Sequence, residues 1–404
     1  MLHTEQFRPL RIFRIYRRLL SLLMKTNRTI RPYIWYVTVV AFLGGCSGKT
    51  GKNHTSDGAS VIQVTLEPSV PSYKDIFERV EVIKLESNPM SLIGYLDKTI
   101  CIGDSIVILD MGRSSVFMFS PEGRFLNTVG QRGDGPEDYL MCYDIAYNSA
   151  THDISVLEPR GTFNNYSLSG RFVGKHKLPS KPNYMACEWQ NAGRLVLWSA
   201  VNEDECGVSV VDVKSGETIF EDWKRDRMLD MQRLQPFYQY RGEVRFCPPL
   251  TNDVYAVDDT GLRLEYTWKF TPDNIRDEYL NEIAAIENPQ DKNQRLIDDF
   301  KNGNLKDVPT FNGETSLQYY VALQTGIGEE AQYLSVFHGK KDNRSIVFYH
   351  FKEGITLHPL FLNEDFMLCQ IPYDEIDAYN ELTGQNFTCE EDENPLLAKF
   401  YFKK

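Results

Sequence analysis

The chain has 404 residues, 44 Lys+Arg against 56 Asp+Glu, a formal net charge of −12 and 12% aromatic residues. Eight of the bases and only one acid fall in residues 1–45, so the remainder keeps 36 bases and 55 acids, a formal charge of −19. A body that acidic repels phosphate backbones and anionic head groups, which argues against nucleic acid as a partner.

The basic leader runs Arg8, Arg11, Arg14, Arg17, Arg18, Lys25, Arg28 and Arg31. Met24 offers a second start that would give a leader of more usual length. From Ile34 to Gly45 only about twelve uncharged residues follow, where a spanning helix needs roughly 20 and a signal-peptide core about half that. The run ends Leu43-Gly44-Gly45-Cys46, which resembles the lipobox of bacterial lipoproteins. That resemblance implies export, cleavage before Cys46, acylation of its thiol and anchoring to a membrane. Lys49 and Lys52 follow the cysteine where surface-exported lipoproteins often carry acids, so an outer-membrane anchor facing the periplasm is expected over surface display. Gly48-Lys49-Thr50 is not a phosphate-binding loop, because Leu43 stands where the first glycine is needed. Residues 46–68, opening in Ser, Gly, Lys, Thr and Asn, are expected to be a flexible tether, with order beginning near Val61 to Thr65.

Beyond the tether the pattern is short strands and tight turns. Val80–Leu85 is the first, then Lys98–Ile102, Ser105–Asp110, Ser115–Phe119 and Arg124–Val129, punctuated by Gly103-Asp104, Met111–Ser114 and Pro121-Glu122-Gly123. The unit recurs. Gly123-Arg124-Phe125-Leu126 is echoed by Gly170-Arg171-Phe172-Val173, and Val107–Asp110 by Ser155–Glu158. Weaker copies follow at Gly193–Asp212 with Ser215–Phe220, at Asn252–Trp268 and at Tyr333–Phe351. A period of roughly 40–50 residues with four strands per unit is the signature of propeller blades, and the available length gives about six. The expected fold is therefore all-β: a six-bladed β-propeller over residues 69–404. A helical insertion is expected near 272–302, where Ile275, Tyr279, Leu280, Ile283 and Ile286 fall at helical spacing.

Ile83-Lys84-Leu85-Glu86, Ser91-Leu92-Ile93-Gly94 and the block Ser105–Tyr139 resemble the six-bladed β-propeller lipoproteins of Bacteroidota, related in shape to NHL- and TolB-like propellers. The most specific segment is Val129–Tyr139, similar to that family's Gly-x-x-Gly-x-Gly-Pro-x-Glu-aromatic loop, with Asp138 where the pattern has Glu. Asn394–Phe400 is similar to the family's closing strand. The resemblance covers about residues 75–404 and implies fold and compartment rather than an activity.

Chemistry is sparse. There is no Gly-x-Ser-x-Gly, no His-Glu-x-x-His and no Cys-x-x-Cys. Beyond Cys46 there are seven cysteines, an odd number, which leaves one or two disulfides open without fixing a pair. Candidate ligand contacts are Arg132 and Asp134 in the Gly130–Pro136 loop, where Arg132 offers a fork-shaped donor to an anion. The ring-rich run Phe237-Tyr238-Gln239-Tyr240, between Arg233 and Arg241, is the candidate for an exposed stacking surface. Asp110 and Glu158, at the ends of equivalent strands, are the weak metal candidates, with Asp134 and Asp144 beside them; strand-end acids more often hold turn amides. No cofactor is expected. The reading is a cell-envelope lipoprotein whose propeller is a non-enzymatic scaffold for a protein, peptide or glycan; the alternative is a metal-dependent hydrolase or lactonase acting at the central channel.

Overall fold

The repeating local unit is a hairpin with a glycine at its turn. In the computed structural model, which describes residues 58–179, 183–199, 206–224, 235–328, 331–390 and 392–404, Ser120 N donates to Arg124 O (2.8 Å) and Gly123 N to Ser120 O (2.9 Å). The echo repeats the geometry: Ser167 N donates to Arg171 O (2.9 Å) and Gly170 N to Ser167 O (2.8 Å). Both glycines have positive φ, 86° and 79°, a conformation costly for any residue with a Cβ. Space forbids one as well. A Cβ on Gly170 would lie 2.1 Å from Thr128 O, and on Gly123 2.3 Å from Lys84 O, so each turn seats on the last strand of the preceding sheet. Gly170→Ala should therefore cost about 3 kcal/mol, read as a lower urea midpoint; a loss below about 1 kcal/mol would mean that the turn simply shifts aside.

Six such sheets form a six-bladed β-propeller. Blade 1 is Lys98–Ile102, Ser105–Asp110, Ser115–Phe119 and Phe125–Thr128; blade 2 is Asp144–Asn148, Asp153–Glu158, Thr162–Ser167 and Phe172–Lys177. Blade 3 is Tyr184–Asn191, Arg194–Ser199, Cys206–Asp212 and Glu217–Lys224; blade 4 is Phe237–Tyr240, Glu243–Phe246, Asp253–Val257 and Leu262–Thr271. Blade 5 is Val308–Glu314, Gln318–Thr325, Gln332–Gly339 and Ser345–Phe348. Blade 6 takes Pro359–Leu362, Phe366–Gln370 and Leu396–Phe402 from the C-terminus and its outer strand, β2 (Phe77–Lys84), from the N-terminal side. Ring closure is thus non-covalent, through the Phe77–Lys84 register on Leu396–Phe402. The C-terminal strand matches the closing strand expected from Asn394–Phe400.

Both faces of a blade are buried against neighbours, so the middle strands read as apolar runs rather than alternating ones. Ile106 and Ile108 pack toward blade 6, while Val107 and Leu109 pack toward blade 2. Each of the six interfaces has its own apolar cluster. Trp189 lies between blades 2 and 3, Trp198 between 3 and 4, and Trp268 between 4 and 5.

The sheet edge outside blade 4 carries a fifth strand, β1 (Ser60–Thr65), paired in parallel with Leu262–Thr271. Its Ile62 and Val64 are buried. The upper limit of the expected tether is corrected by this: residues 60–65 belong to a blade, because two alternate aliphatic side chains find an apolar interface to fill. Residues 1–57, including the leader and Cys46, lie outside the described residues.

The expected helical insertion is present as α1 (Asp277–Ala284) and α2 (Pro289–Lys301), between blades 4 and 5. Asn288 caps α2 by accepting from Gln290 N (2.9 Å), with Pro289 at the first helical position. Tyr279, Leu280, Ile283, Leu296 and Phe300 pack with Leu250 and Val308, which fastens the pair to the blade 4–5 connections. A third helix, α3 (Ile376–Thr383), stops at Gly384 in the left-handed conformation.

Candidate functional site

Antiparallel blades put the turns between first and second, and between third and fourth, strands on one face, and the remaining connections on the other. The two faces differ. On the first, among the described residues, the connections are tight turns such as 103–104, 241–242 and 258–261. On the second lie the long segments 85–97, 129–143 and 272–307, and the segment bearing α3. Loops placed on a rigid frame are where binding chemistry concentrates.

The inner strands adjoin one another in ring order around the axis. At the long-loop end of that axis is a cavity of about 60 Å³, lined among others by Asp97, Lys98, Met111, Tyr143, Asp144 and Phe237. Its floor is a polar network joining four blades. Lys98 opens the inner strand of blade 1 and its Nζ lies 2.9 Å from Asp144 Oδ1, at the head of the inner strand of blade 2. Asp144 Oδ2 also accepts from Cys187 N of blade 3 (2.7 Å). Glu188, next along, accepts from Trp189 N (3.0 Å) and from Gln239 Nε2 of blade 4 (3.3 Å). Burial alone would pull the Lys98 pKa down, but the Asp144 and Glu188 carboxylates outweigh it and lift the ammonium to about 12. Burial likewise pushes the Asp144 and Glu188 carboxyls above the usual range.

The stability that Lys98 supplies is intact below the free lysine value of 10.5 and is lost as pH rises through about 12. Buried phenols such as Tyr320, raised by desolvation, also cost stability in the alkaline range. The difference between the parent and Lys98→Met isolates the lysine: the parent should lose about 2 kcal/mol more between those pH values. Parallel pH profiles of the melting temperature for the two proteins would refute the assignment.

The anticipated site residues fall in three places. Arg132 and Asp134 are exposed on the long-loop face. The loop beneath them is built by Asp138, which accepts from Gln131 Nε2 (2.9 Å) and Gly135 N (3.1 Å), while Tyr166 donates to Glu137 O (2.7 Å). A Cβ on Gly133 would meet Asp138 Oδ2 at 2.2 Å, so these glycines make room for the Asp138 knot. The apolar Leu140 and Met141 are exposed beside it.

Asp110 and Glu158 do occupy equivalent places, and both hold backbone amides. Asp110 Oδ2 accepts from Gly94 N (2.6 Å), its Oδ1 from Arg113 N (2.9 Å), and Glu158 Oε2 from Leu140 N (3.1 Å). Each pins the loop that leads into its own blade. Among the described residues no group of three His, Cys, Asp or Glu is placed to hold a metal ion.

The Phe237–Tyr240 run is not an exposed stacking surface. Phe237 is buried against Phe246, with centroids 5.6 Å apart. Tyr238 donates to Glu314 Oε1 (3.1 Å) and meets Tyr266 OH (2.9 Å). Lys340 sits 4.3 Å over the Tyr240 ring and bonds its hydroxyl (3.2 Å). Glu314 joins them, accepting from Arg245 Nε (3.2 Å) and Lys340 Nζ (2.5 Å). The rings and cations cement blades 4 and 5. Arg233 lies outside the described residues.

Sequence reasoning left Lys98 and Glu188 unread as site residues. The repeat carried the signal: Lys98 and Asp144 stand 46 positions apart, close to the spacing of the turn echoes, so they occupy the same place in neighbouring blades. Cys101, Cys142, Cys187, Cys247 and Cys369 are free thiols. No helix among the described residues is long and apolar enough to cross a membrane.

Residues 60–401 match the family model described as "Domain of unknown function (DUF4934)". The fold is similar to that of a crystallised protein of Bacteroides fragilis NCTC 9343, described as exported, at a TM-score of 0.66 and 15% identity, covering 85% of this chain and 100% of that one. A member of the duf4221 family from Bacteroides vulgatus is also similar, at a TM-score of 0.49 and 10% identity, over 81% of this chain and 97% of that one. The comparison with curated proteins found no match.

Proposed function

The chain belongs to the DUF4934 family, and on that footing we propose that it is a lipid-anchored cell-envelope protein whose propeller binds a protein, peptide or glycan through its long-loop face. The observation that carries the binding reading is the asymmetry of the disc: long connections gather on one face around an axial cavity, and tight turns make up the other. The same face presents Arg132 and Asp134 as exposed side chains beside Leu140 and Met141, a mixed surface suited to a polar partner with apolar anchors. A scaffold role is favoured over channel hydrolysis because Asp110 and Glu158 are engaged by loop amides.

The envelope reading rests on Leu43-Gly44-Gly45-Cys46, and its periplasm-facing form on Lys49 and Lys52 after the cysteine. A protein of similar fold that is described as a "Putative exported protein" points the same way. Cys46→Ser should move the protein from the outer-membrane fraction to the soluble envelope fraction; continued membrane retention would refute the anchor.

The binding face is tested by a photo-crosslinking residue at Met141 or, on the tight-turn face, at Lys214, in intact cells. Adducts are expected at Met141 and weakened several-fold by Arg132→Ala. Equal yields at both positions, or adducts only at Lys214, would overturn the assignment.

A further inference from the structure

We infer that the tight-turn face is the one turned toward the membrane, and that the segment from Ser60 to Tyr73 is a rim strap that enforces it. The inference rests on the acylation of Cys46 proposed above.

Chain direction is the first observation. The outer strand of blade 4 begins after the tight turn 258–261 and ends at Thr271, where the long connection to blade 5 starts. Because β1 runs parallel to it, with Ser60 opposite Tyr266 and Thr65 opposite Thr271, the chain enters the rim from the tight-turn side.

The grip on that entry point is the second. Ile62 and Val64 are buried in the apolar cluster that contains Trp268. Leu66 N then donates to Thr271 O (2.8 Å), still on blade 4. Ser69 donates through both N (2.7 Å) and Oγ (3.0 Å) to Val347 O on the outer strand of blade 5. Lys352 N donates to Pro71 O (2.8 Å), and Glu353 accepts from Ser72 Oγ (2.6 Å) and Tyr73 N (3.1 Å). The chain passes next into β2, the outer strand of blade 6. Three blades therefore hold it, and the entry point cannot slide around the rim.

Reach is the third. Cys46 and Ser60 are 14 positions apart. Turning the long-loop face to the bilayer would need the chain before Ser60 to double back along β1, about 20 Å, and past the helical insertion, about 10 Å more. The tight-turn side needs no reversal. The geometry leaves the long loops, the cavity and Arg132 facing away from the lipid.

The test uses the acylated full-length chain in vesicles whose head groups carry a collisional quencher. A fluorescent amino acid replaces Thr260, on the tight-turn face of blade 4, or Glu278, on the helical insertion of the same blade. Quenching at position 260 should exceed that at 278 at least threefold. Equal quenching, or the reverse order, on vesicle-bound protein overturns the orientation while leaving the anchor standing. Failure of the labelled chain to float with vesicles overturns the anchor and this inference with it. Introducing Ile62→Asp with Val64→Asp should abolish the difference without releasing the protein; a difference that survives would remove the strap as its cause.

Discussion

Asp144→Ala should lower the stability of the propeller by about 4 kcal/mol, the cost of leaving a buried cation without its partner. Both groups are nearly sealed from solvent, with side-chain exposures of 9% for Lys98 and 6% for Asp144. Removing the carboxylate also strands Cys187 N, so blades 1, 2 and 3 lose their shared tie at the axis. The effect would be read by urea denaturation. A paired replacement, Lys98→Met with Asp144→Leu, should recover most of the loss, since apolar side chains of similar volume need no counter-charge. Asp144→Ala within about 1 kcal/mol of the parent would show that water reaches Lys98 in the cavity and that the ion pair matters little.

Asn394→Ala should have an effect of similar size, about 4 kcal/mol, for a different reason. Asn394 is fully buried and ties the 86–93 loop to the C-terminal closing strand. Its Oδ1 accepts from Ile93 N, its Nδ2 donates to Glu86 O and Ser91 O, and its own N donates to Ser87 Oγ, each at 2.8 Å. Alanine keeps the backbone bond and abandons the other three, of which those to Ile93 N and Ser91 O are buried. The loss should appear as a lower melting temperature together with proteolytic cleavage within residues 86–93. Asn394→Asp should be no better, because a carboxylate cannot donate to the two carbonyls. A protease-resistant loop in the alanine variant would refute the latch.

Much of the propeller was readable because its evidence is local. Blades 1 and 2 announce themselves through hairpins in which Gly123 and Gly170 must take positive φ, and through runs such as Ile106–Leu109 that are buried on both faces. Segments 308–325 and 359–370 were not read as strands. Val308–Glu314 holds a proline and a glycine, and Pro359–Leu362 is only four residues long. Order is expected from near Val61 to Thr65, but the pairing of β1 is not legible, because Ser60–Thr65 has just two inward aliphatic residues and finds its partner about 200 positions away. Phe237–Tyr240 looked like a binding surface because rings that fill an interface and rings that face a ligand have the same composition; only the positions of Glu314 and Lys340 distinguish them.

The amino-acid order alone determined the blade period, the turn glycines, the helical insertion and a lipobox-like cysteine, since each depends on residues a few positions apart. Tertiary structure decided which polar groups meet at the axis, which face carries the long loops, and where the N-terminal strand docks. Those outcomes depend on residues tens to hundreds of positions apart brought together by ring closure, and one strand carries no local mark of the strand that will lie beside it.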